Sequence, residues 1–205
     1  MIAAPAALRT SKRPGARWEV GVAARPAAGE RVLGDGVVVL DQGRALLVAL
    51  CDGVGHGAPA AAAARAFVQC VRELAAEPLP RILAGCHEAL VGRRGAVALV
   101  ARFDAAEARG EFVGGGNVVG RVVGPSGREV QLLAGRRGVL GSTFRKVDTV
   151  PFVFASGDVF VAHSDGVSSR ARPALPAPAQ RVADRILAEH GKSYDDASCL
   201  VVRAA

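Results

Sequence analysis

The sequence predicts an α+β fold whose sheets are antiparallel. Three observations carry this. Short apolar runs recur along most of the 205 residues, most closed by a Gly-, Asp- or Pro-containing turn too short for a crossover helix. Helical periodicity falls in two blocks instead of alternating with every strand, which excludes a doubly wound parallel sheet. No repeat of fixed period is present, which sets aside solenoids and propellers.

Met1 to Ala16 are largely Ala, Pro, Arg and Lys without periodicity, and read as a flexible arm ahead of one domain over residues 17–205. Trp18 to Ala24 opens the strand pattern. Val37 to Leu40 and Ala45 to Leu50, split by Asp41-Gln42-Gly43-Arg44, form a hairpin. The second run ends in Cys51-Asp52-Gly53-Val54-Gly55-His56-Gly57. A helix follows from Ala58 to Ala76, with Phe67, Val68, Val71 and Leu74 on one side. Pro78 and Pro80 close it and open a second helix, Leu79 to Leu90. Strand runs return at Ala96 to Phe103, Gly110 to Val113, Val118 to Val123, Glu129 to Leu133, Phe152 to Phe154 and Val159 to His163. Gly114-Gly115-Gly116-Asn117 reads as a turn or bulge between two of these strands. Arg170 to Gln180, with its prolines, reads as a loop. A third helix, Ala179 to Glu189, stops at Gly191, a glycine suited to a helix C-terminus. Ser198 to Arg203 is the last strand.

Composition narrows the function classes. Half of the residues are hydrophobic and 22% are charged, a globular balance, and aromatics at 4% leave the core to Ala, Val and Leu. Lys plus Arg outnumber Asp plus Glu by 26 to 19, a formal charge of +7. A basic balance can mark nucleic-acid binding. Here the arginines are dispersed, with pairs at Arg93-Arg94 and Arg136-Arg137, and interleaved aromatics for base stacking are missing. A solvated Arg-rich surface with no nucleic-acid partner is the expectation. The apolar runs are strand-length, far short of the roughly 18 residues of a membrane span, and no basic leader precedes the apolar start. Cys51, Cys70, Cys86 and Cys199 sit far apart without zinc spacing, which fits a reducing, cytoplasmic setting.

The chemistry lies at strand ends. Leu46 to Cys51 runs into Asp52-Gly53, and Val159 to Ser164 runs into Asp165-Gly166. Tyr194-Asp195-Asp196 immediately precedes the final strand, and Gly34-Asp35-Gly36 precedes Val37. A single Asp-Gly is ordinarily a turn. Several carboxylates on adjacent sheet edges repel unless a cation lies between them. Their oxygens are the donors that Mg²⁺ and Mn²⁺ prefer, and no Cys/His cluster competes. Gly53, Gly55 and Gly57 permit close backbone approach, and the helix after them offers free N–H groups to a phosphate. The missing Lys-Ser/Thr excludes a P-loop, and no helix follows Gly114 to Asn117 to make a dinucleotide site.

Asp52-Gly53-Val54-Gly55-His56-Gly57 with Ala60 resembles the opening signature of the bacterial PPM-type metal-dependent protein phosphatases, sporulation stage II E branch. Gly115-Gly116-Asn117, Gly138-Val139-Leu140-Gly141, Ser156-Gly157-Asp158-Val159, His163-Ser164-Asp165-Gly166-Val167 and Asp195-Asp196-Ala197-Ser198 resemble that branch's later motifs, in its order, over about residues 18 to 203. The short length and Gly29-Glu30-Arg31 with Gly34-Asp35 look most like the small RsbX-like phosphoserine phosphatases.

The resemblance implies a four-layer α-β-β-α sandwich with two central antiparallel sheets and two Mn²⁺ or Mg²⁺ ions at one end. By position, Asp52 would bridge the ions, the Gly53 carbonyl would bind one, and Asp165 and Asp195 the other. Asp35 would reach the metals, often through water, and Asp196 ranks below Asp195. It further implies hydrolysis of phosphoserine or phosphothreonine on a partner such as a STAS-domain protein or anti-sigma antagonist in a stress-response pathway. Val54 stands where some relatives carry a proton-donating histidine. His56 is expected to cap the helix backbone, and His163 to have a structural role. Two alternatives stay open: a pseudophosphatase that only binds such a partner, and a small-molecule metal phosphohydrolase.

Overall fold

The computed structural model describes residues 18–104 and 106–204, so the arm expected over residues 1–16 lies outside the described residues. The chain runs β1 (Trp18–Arg25), β2 (Asp35–Asp41), β3 (Ala45–Gly53), α1 (Gly57–Glu73), α2 (Leu79–Leu90), β4 (Ala96–Asp104), β5 (Arg109–Gly115), β6 (Val119–Val123), β7 (Glu129–Ala134), β8 (Val150–Val153), β9 (Val159–His163), α3 (Ala179–His190) and β10 (Ala197–Ala204). These strands make two five-stranded sheets, ordered β1-β10-β9-β6-β7 and β2-β3-β4-β5-β8. Every strand pairing is antiparallel.

The alternation of side chains sets the layers. In β3, Leu46, Val48 and Leu50 point into the core between the sheets. Leu47, Ala49 and Cys51 point the other way, against Phe67 and Val71 of α1 and Ile82 and Leu83 of α2. A strand covered on both faces has no polar side to show, so Ala45 to Cys51 is uninterruptedly apolar. β10 repeats this logic: Leu200 and Val202 face the inter-sheet core, while Cys199 and Val201 face Val182 and Ile186 of α3. The result is helices, sheet, sheet, helix, the four layers implied by the motif resemblance.

Three details differ from expectation. The inter-sheet core is not left to Ala, Val and Leu: Trp18, Phe103, Phe152, Phe154 and Phe160 gather there. Helix α1 stops at Glu73, short of Ala76, and the carbonyls just beyond it accept from distant side chains. Arg102 donates to the carbonyls of Ala75 and Glu77, and Gln42 to that of Ala75. Gly191 ends α3 in extended geometry (φ −71°), not the left-handed form. What demands glycine there is space, since a Cβ would lie 2.5 Å from the Leu187 carbonyl oxygen. The Gly114–Asn117 segment carries the chain from one sheet to the other, with Gly116 at φ +94° pressed against Val97. No helix among the described residues is long and apolar enough to cross a membrane.

Candidate active site

The antiparallel register of β2 and β3 sets Asp35 directly opposite Asp52. Asp35 is the first residue of β2, and Asp52 with Gly53 forms the last two of β3, so the pair sits at one sheet edge. In the other sheet β9 and β10 pair Cys199 with His163. This puts Asp165, just past β9, and Asp195, just before β10, at the same end of the sandwich. Ser164 ties the two sheets together. Its hydroxyl donates to Asp35 Oδ2 at 2.8 Å and accepts from the Ser198 N–H at 3.0 Å. The Ser164 N–H in turn donates to the Ser198 carbonyl.

The electrostatics show how costly this gathering is. Burial lifts the Asp52 carboxyl to about 9, with the charges of Asp35 and Asp165, a hydrogen bond with Asp165 and the charge of Asp195 adding to it. Burial also lifts Asp35 to about 7, although the hydrogen bond it accepts from Ser164 opposes the rise. Asp195 is raised by burial and by the charge of Asp165. Two carboxyl groups within hydrogen-bonding reach need a proton or a cation between them. Asp35 Oδ1 and Asp196 Oδ2 are buried without a partner, which in a low dielectric is unfavourable for any oxygen carrying charge. The donors are all oxygen, the chemistry of Mg²⁺ and Mn²⁺, and the residues fit such ions. No three acidic, His or Cys side chains among the described residues close on one point as they stand. The site is a gathered set of ligands, not a finished cage.

Neighbouring groups hold the set in place. Asn117 Nδ2 donates to Asp165 Oδ2 at 2.9 Å, and Lys192 Nζ to the Asp165 carbonyl at 2.6 Å. The Gly53 N–H donates to the Gly34 carbonyl at 3.1 Å. A Cβ on Gly53 would meet the Ala60 carbonyl oxygen at 2.6 Å, so glycine lets α1 close down on the strand end. Asp196, buried beside Asp195, accepts from the Ala27 N–H at 3.0 Å. That bond anchors the loop between β1 and β2, and leaves Asp195 as the more open of the two carboxylates.

Two of the four histidines, His56 and His163, lie beside these acidic segments. His56 occupies the N-cap position of α1 but makes no side-chain cap bond. Its Nδ1 instead lies 2.6 Å from Glu30 Oε1, so the expected backbone cap is replaced by a side-chain hydrogen bond across the loop. His163 is buried, its Nδ1 2.9 Å from the Ser164 carbonyl, and burial holds it below the usual imidazole range. Val54 is exposed. The sequence marks Asn117, Ser164 and Ser198 only as members of the resembling motifs, with no role of their own, and does not mark Lys192. Ser164 adjoins an aspartate already singled out, which was the available signal. Nothing local marks Lys192, which reaches Asp165 only through the β9–β10 connection.

The Stage II sporulation protein E (SpoIIE) family matches residues 42–205. The phosphoserine phosphatase RsbX of Bacillus subtilis (strain 168) is 26% identical over 140 residues, 68% of this chain and 70% of RsbX. A structure from work on the bacterial stressosome, a modular system adapted to control secondary messenger signaling, aligns with a TM-score of 0.84 at 28% identity, covering 92% of this chain and 100% of that one. The crystal structure of RsbX in complex with magnesium aligns with a TM-score of 0.81 at 21% identity, covering 92% and 96%. With everything from the β2–β3 turn onward matched, the chain belongs to the Stage II sporulation protein E family, the phosphatase branch that its motifs resemble.

Proposed function

We propose that the protein hydrolyses phosphoserine or phosphothreonine on a signalling partner, a STAS-domain regulator or anti-sigma antagonist, using two divalent cations. The observation that carries this is the Asp35–Asp52 pair, raised in pKa by burial and by neighbouring carboxylates, at the sandwich end that also holds Asp165 and Asp195. The relative RsbX is a phosphoserine phosphatase, which supports the substrate class.

Asp35, Asp52, the Gly53 carbonyl, Asp165 and Asp195 would hold the ions. Bound cations would neutralise these carboxylates and supply Lewis acidity toward water and phosphoryl oxygens. Ser164 fixes the rotamer of Asp35, and Asn117 that of Asp165, so the acidic oxygens are aimed before any substrate arrives. The free N–H groups at the start of α1, next to Gly53, face the same end and favour the phosphoryl charge. No Ser or Cys nucleophile is needed, since water can attack phosphorus in line with the leaving serine or threonine oxygen. The test is release of phosphate from a phosphorylated STAS-domain protein and from p-nitrophenyl phosphate, with Mn²⁺, with Mg²⁺ and with EDTA. Turnover that requires the cation is expected. Full turnover in EDTA after dialysis would remove the metal reading, and turnover on p-nitrophenyl phosphate alone would remove the protein substrate.

A further inference from the structure

Three cationic dyads lie on loops linked by backbone hydrogen bonds, the first two tied to elements of the acidic centre, and none makes an ion pair among the described residues. Arg93-Arg94 lies in the α2–β4 loop, Arg136-Arg137 follows β7, and Arg145-Lys146 follows Phe144; all of these residues are exposed. Some other arginines are paired, Arg44 with Asp104 and Glu107, Arg109 with Glu107, Arg121 with Glu129, and Arg185 with Glu189, while single arginines such as Arg65, Arg72 and Arg128 are not, among the described residues; what sets the dyads apart is that each doubles the charge on one loop. Among the described residues none of the six dyad cations makes an ion pair. Residues 91–95 and 135–147 contain no Asp or Glu.

The backbone fixes these loops against the site. The Val54 N–H, two residues past Asp52, donates to the carbonyl of Gly95, which follows Arg94. Ala96 and Leu140 exchange both hydrogen bonds, joining the first dyad's loop to the second's. The Arg136 N–H donates to the Gly114 carbonyl, and the Gly116 N–H to the Arg136 carbonyl. The next residue, Asn117, holds Asp165. Phe144, one residue before the third dyad, rests on the His87 ring at 5.6 Å and bonds back to the Val139 carbonyl. The first two dyads are therefore carried on backbone bonded to the segments that hold Asp52 and Asn117, and the third on the loop that continues from the second.

Unpaired like charges on neighbouring loops repel, and an anionic surface laid across them relieves that repulsion while steering encounter. A single phosphoryl group is too small to reach all three dyads. We propose that this rim docks the partner protein through Asp and Glu residues flanking its phosphoserine or phosphothreonine. The inference rests on the phosphoprotein phosphatase reading above and adds which phosphoproteins the site selects.

Two phosphoserine peptides of equal length test it, one with Asp/Glu flanks and one with Lys flanks, with p-nitrophenyl phosphate as a third substrate. At 50 mM salt kcat/KM for the acidic peptide should exceed that for the basic one by about tenfold or more, and at 0.5 M salt the ratio should approach one as screening shortens the reach of the charges. In the Arg94→Glu/Arg137→Glu variant, and in Arg137→Glu alone, the ratio should fall at low salt. Both rates come from one preparation, so partial loss of folded enzyme cancels. A ratio near one for the wild type, a ratio indifferent to salt, or a ratio unchanged by the substitutions overturns the proposal. If neither peptide nor p-nitrophenyl phosphate is hydrolysed with Mn²⁺ or Mg²⁺, it is the phosphatase reading that fails. Fluorescence anisotropy of the labelled peptides then still decides docking: tighter binding of the acidic peptide supports the rim, and equal binding overturns it.

Discussion

At one end of the sandwich Trp18, Phe103, Phe152, Phe154 and Phe160 pack ring against ring; at the other, Asp35, Asp52, Asp165 and Asp195 occupy the ends of strands from the same two sheets. Phe103 is the hub of the first end, with ring centroids 4.8 Å from Phe154, 5.2 Å from Phe160, 5.6 Å from Phe152 and 5.8 Å from Trp18. The other end has glycines where backbone and helix must close in, and a buried serine where two sheets meet. The aromatic end supplies dispersion and hydrophobic burial with no charge to balance, its one unmet polar group among these rings being the buried Trp18 Nε1. The acidic end is unfavourable to assemble without counter-charge. The rigid sheets between them let the first hold the second in place, so substitutions at the two ends should separate stability from turnover.

The largest effect is expected at Asp52. Asp52→Asn should lower turnover by more than about 10³-fold, roughly 4 kcal/mol of barrier. In EDTA the same variant should melt no lower than the wild type, because the amide is neutral without the proton that Asp52 must take up on folding. Parallel phosphate-release and thermal-melting measurements check both halves. Turnover within about tenfold of wild type would take Asp52 out of the centre.

Phe103→Ala should do the reverse. Emptying the hub of the aromatic end is expected to cost about 3–5 kcal/mol in urea unfolding. Turnover per folded molecule should stay within about twofold, since distant sites act independently. A drop in turnover as large as that of Asp52→Asn would show that the two ends are coupled through the sheets.

A third comparison uses pH. Asp35 and Asp52 are raised, to about 7 and about 9, from the ordinary carboxyl value of 3.8. Raised folded pKa values mean that their contribution to stability is complete below the unfolded pKa and is lost as pH rises through the folded ones. In EDTA the melting temperature should therefore fall between pH 5 and pH 9 by these groups' contribution, and Asp52→Asn should flatten the slope. Saturating Mg²⁺ or Mn²⁺ should remove the fall, because a cation replaces the proton. A melting temperature that rises across this range in EDTA, equally in wild type and variant, would show that these carboxylates are held ionised.

The aromatic end was hard to read from the sequence and the acidic end much easier. Trp18, Phe103 and Phe160 lie in separate runs: the pairing of β1 with β10 and of β10 with β9 aligns the first and last, and only the packing of the two sheets brings Phe103 of β4 against them. Each strand-end aspartate, by contrast, is marked locally by an apolar run meeting a polar Gly-containing turn. The hairpin register that opposes Asp35 to Asp52 follows from one short turn. Ser164 to Asp35 and Ala27 to Asp196 span 129 and 169 residues, beyond any local pattern. Helix ends were legible where proline sets them, as at Pro78, and misread at Glu73, where Arg102 from a distant strand takes the carbonyls.

The smallest and most diagnostic change is Ser164→Ala, because it touches the acidic end without removing an acid. Ser164 is fully buried, and its hydroxyl both donates to Asp35 Oδ2 and accepts from the Ser198 N–H. Alanine fits the space but leaves a buried N–H unpaired and strips Asp35 of a bond that favours its charged form. The expected loss is about 1–3 kcal/mol, the cost of orphaning buried polar groups. The loss should be larger at pH 8 than at pH 5, since at pH 5 a protonated Asp35 needs its donor less. If Ser164 also aims Asp35, cation half-saturation should move to higher concentration while p-nitrophenyl phosphate turnover at saturating cation changes little. Urea unfolding at both pH values, with a Mg²⁺ or Mn²⁺ titration of activity, separates the two effects. An equal stability loss at both pH values with no shift in half-saturation would reduce Ser164 to a clasp between sheets, with no part in orienting Asp35.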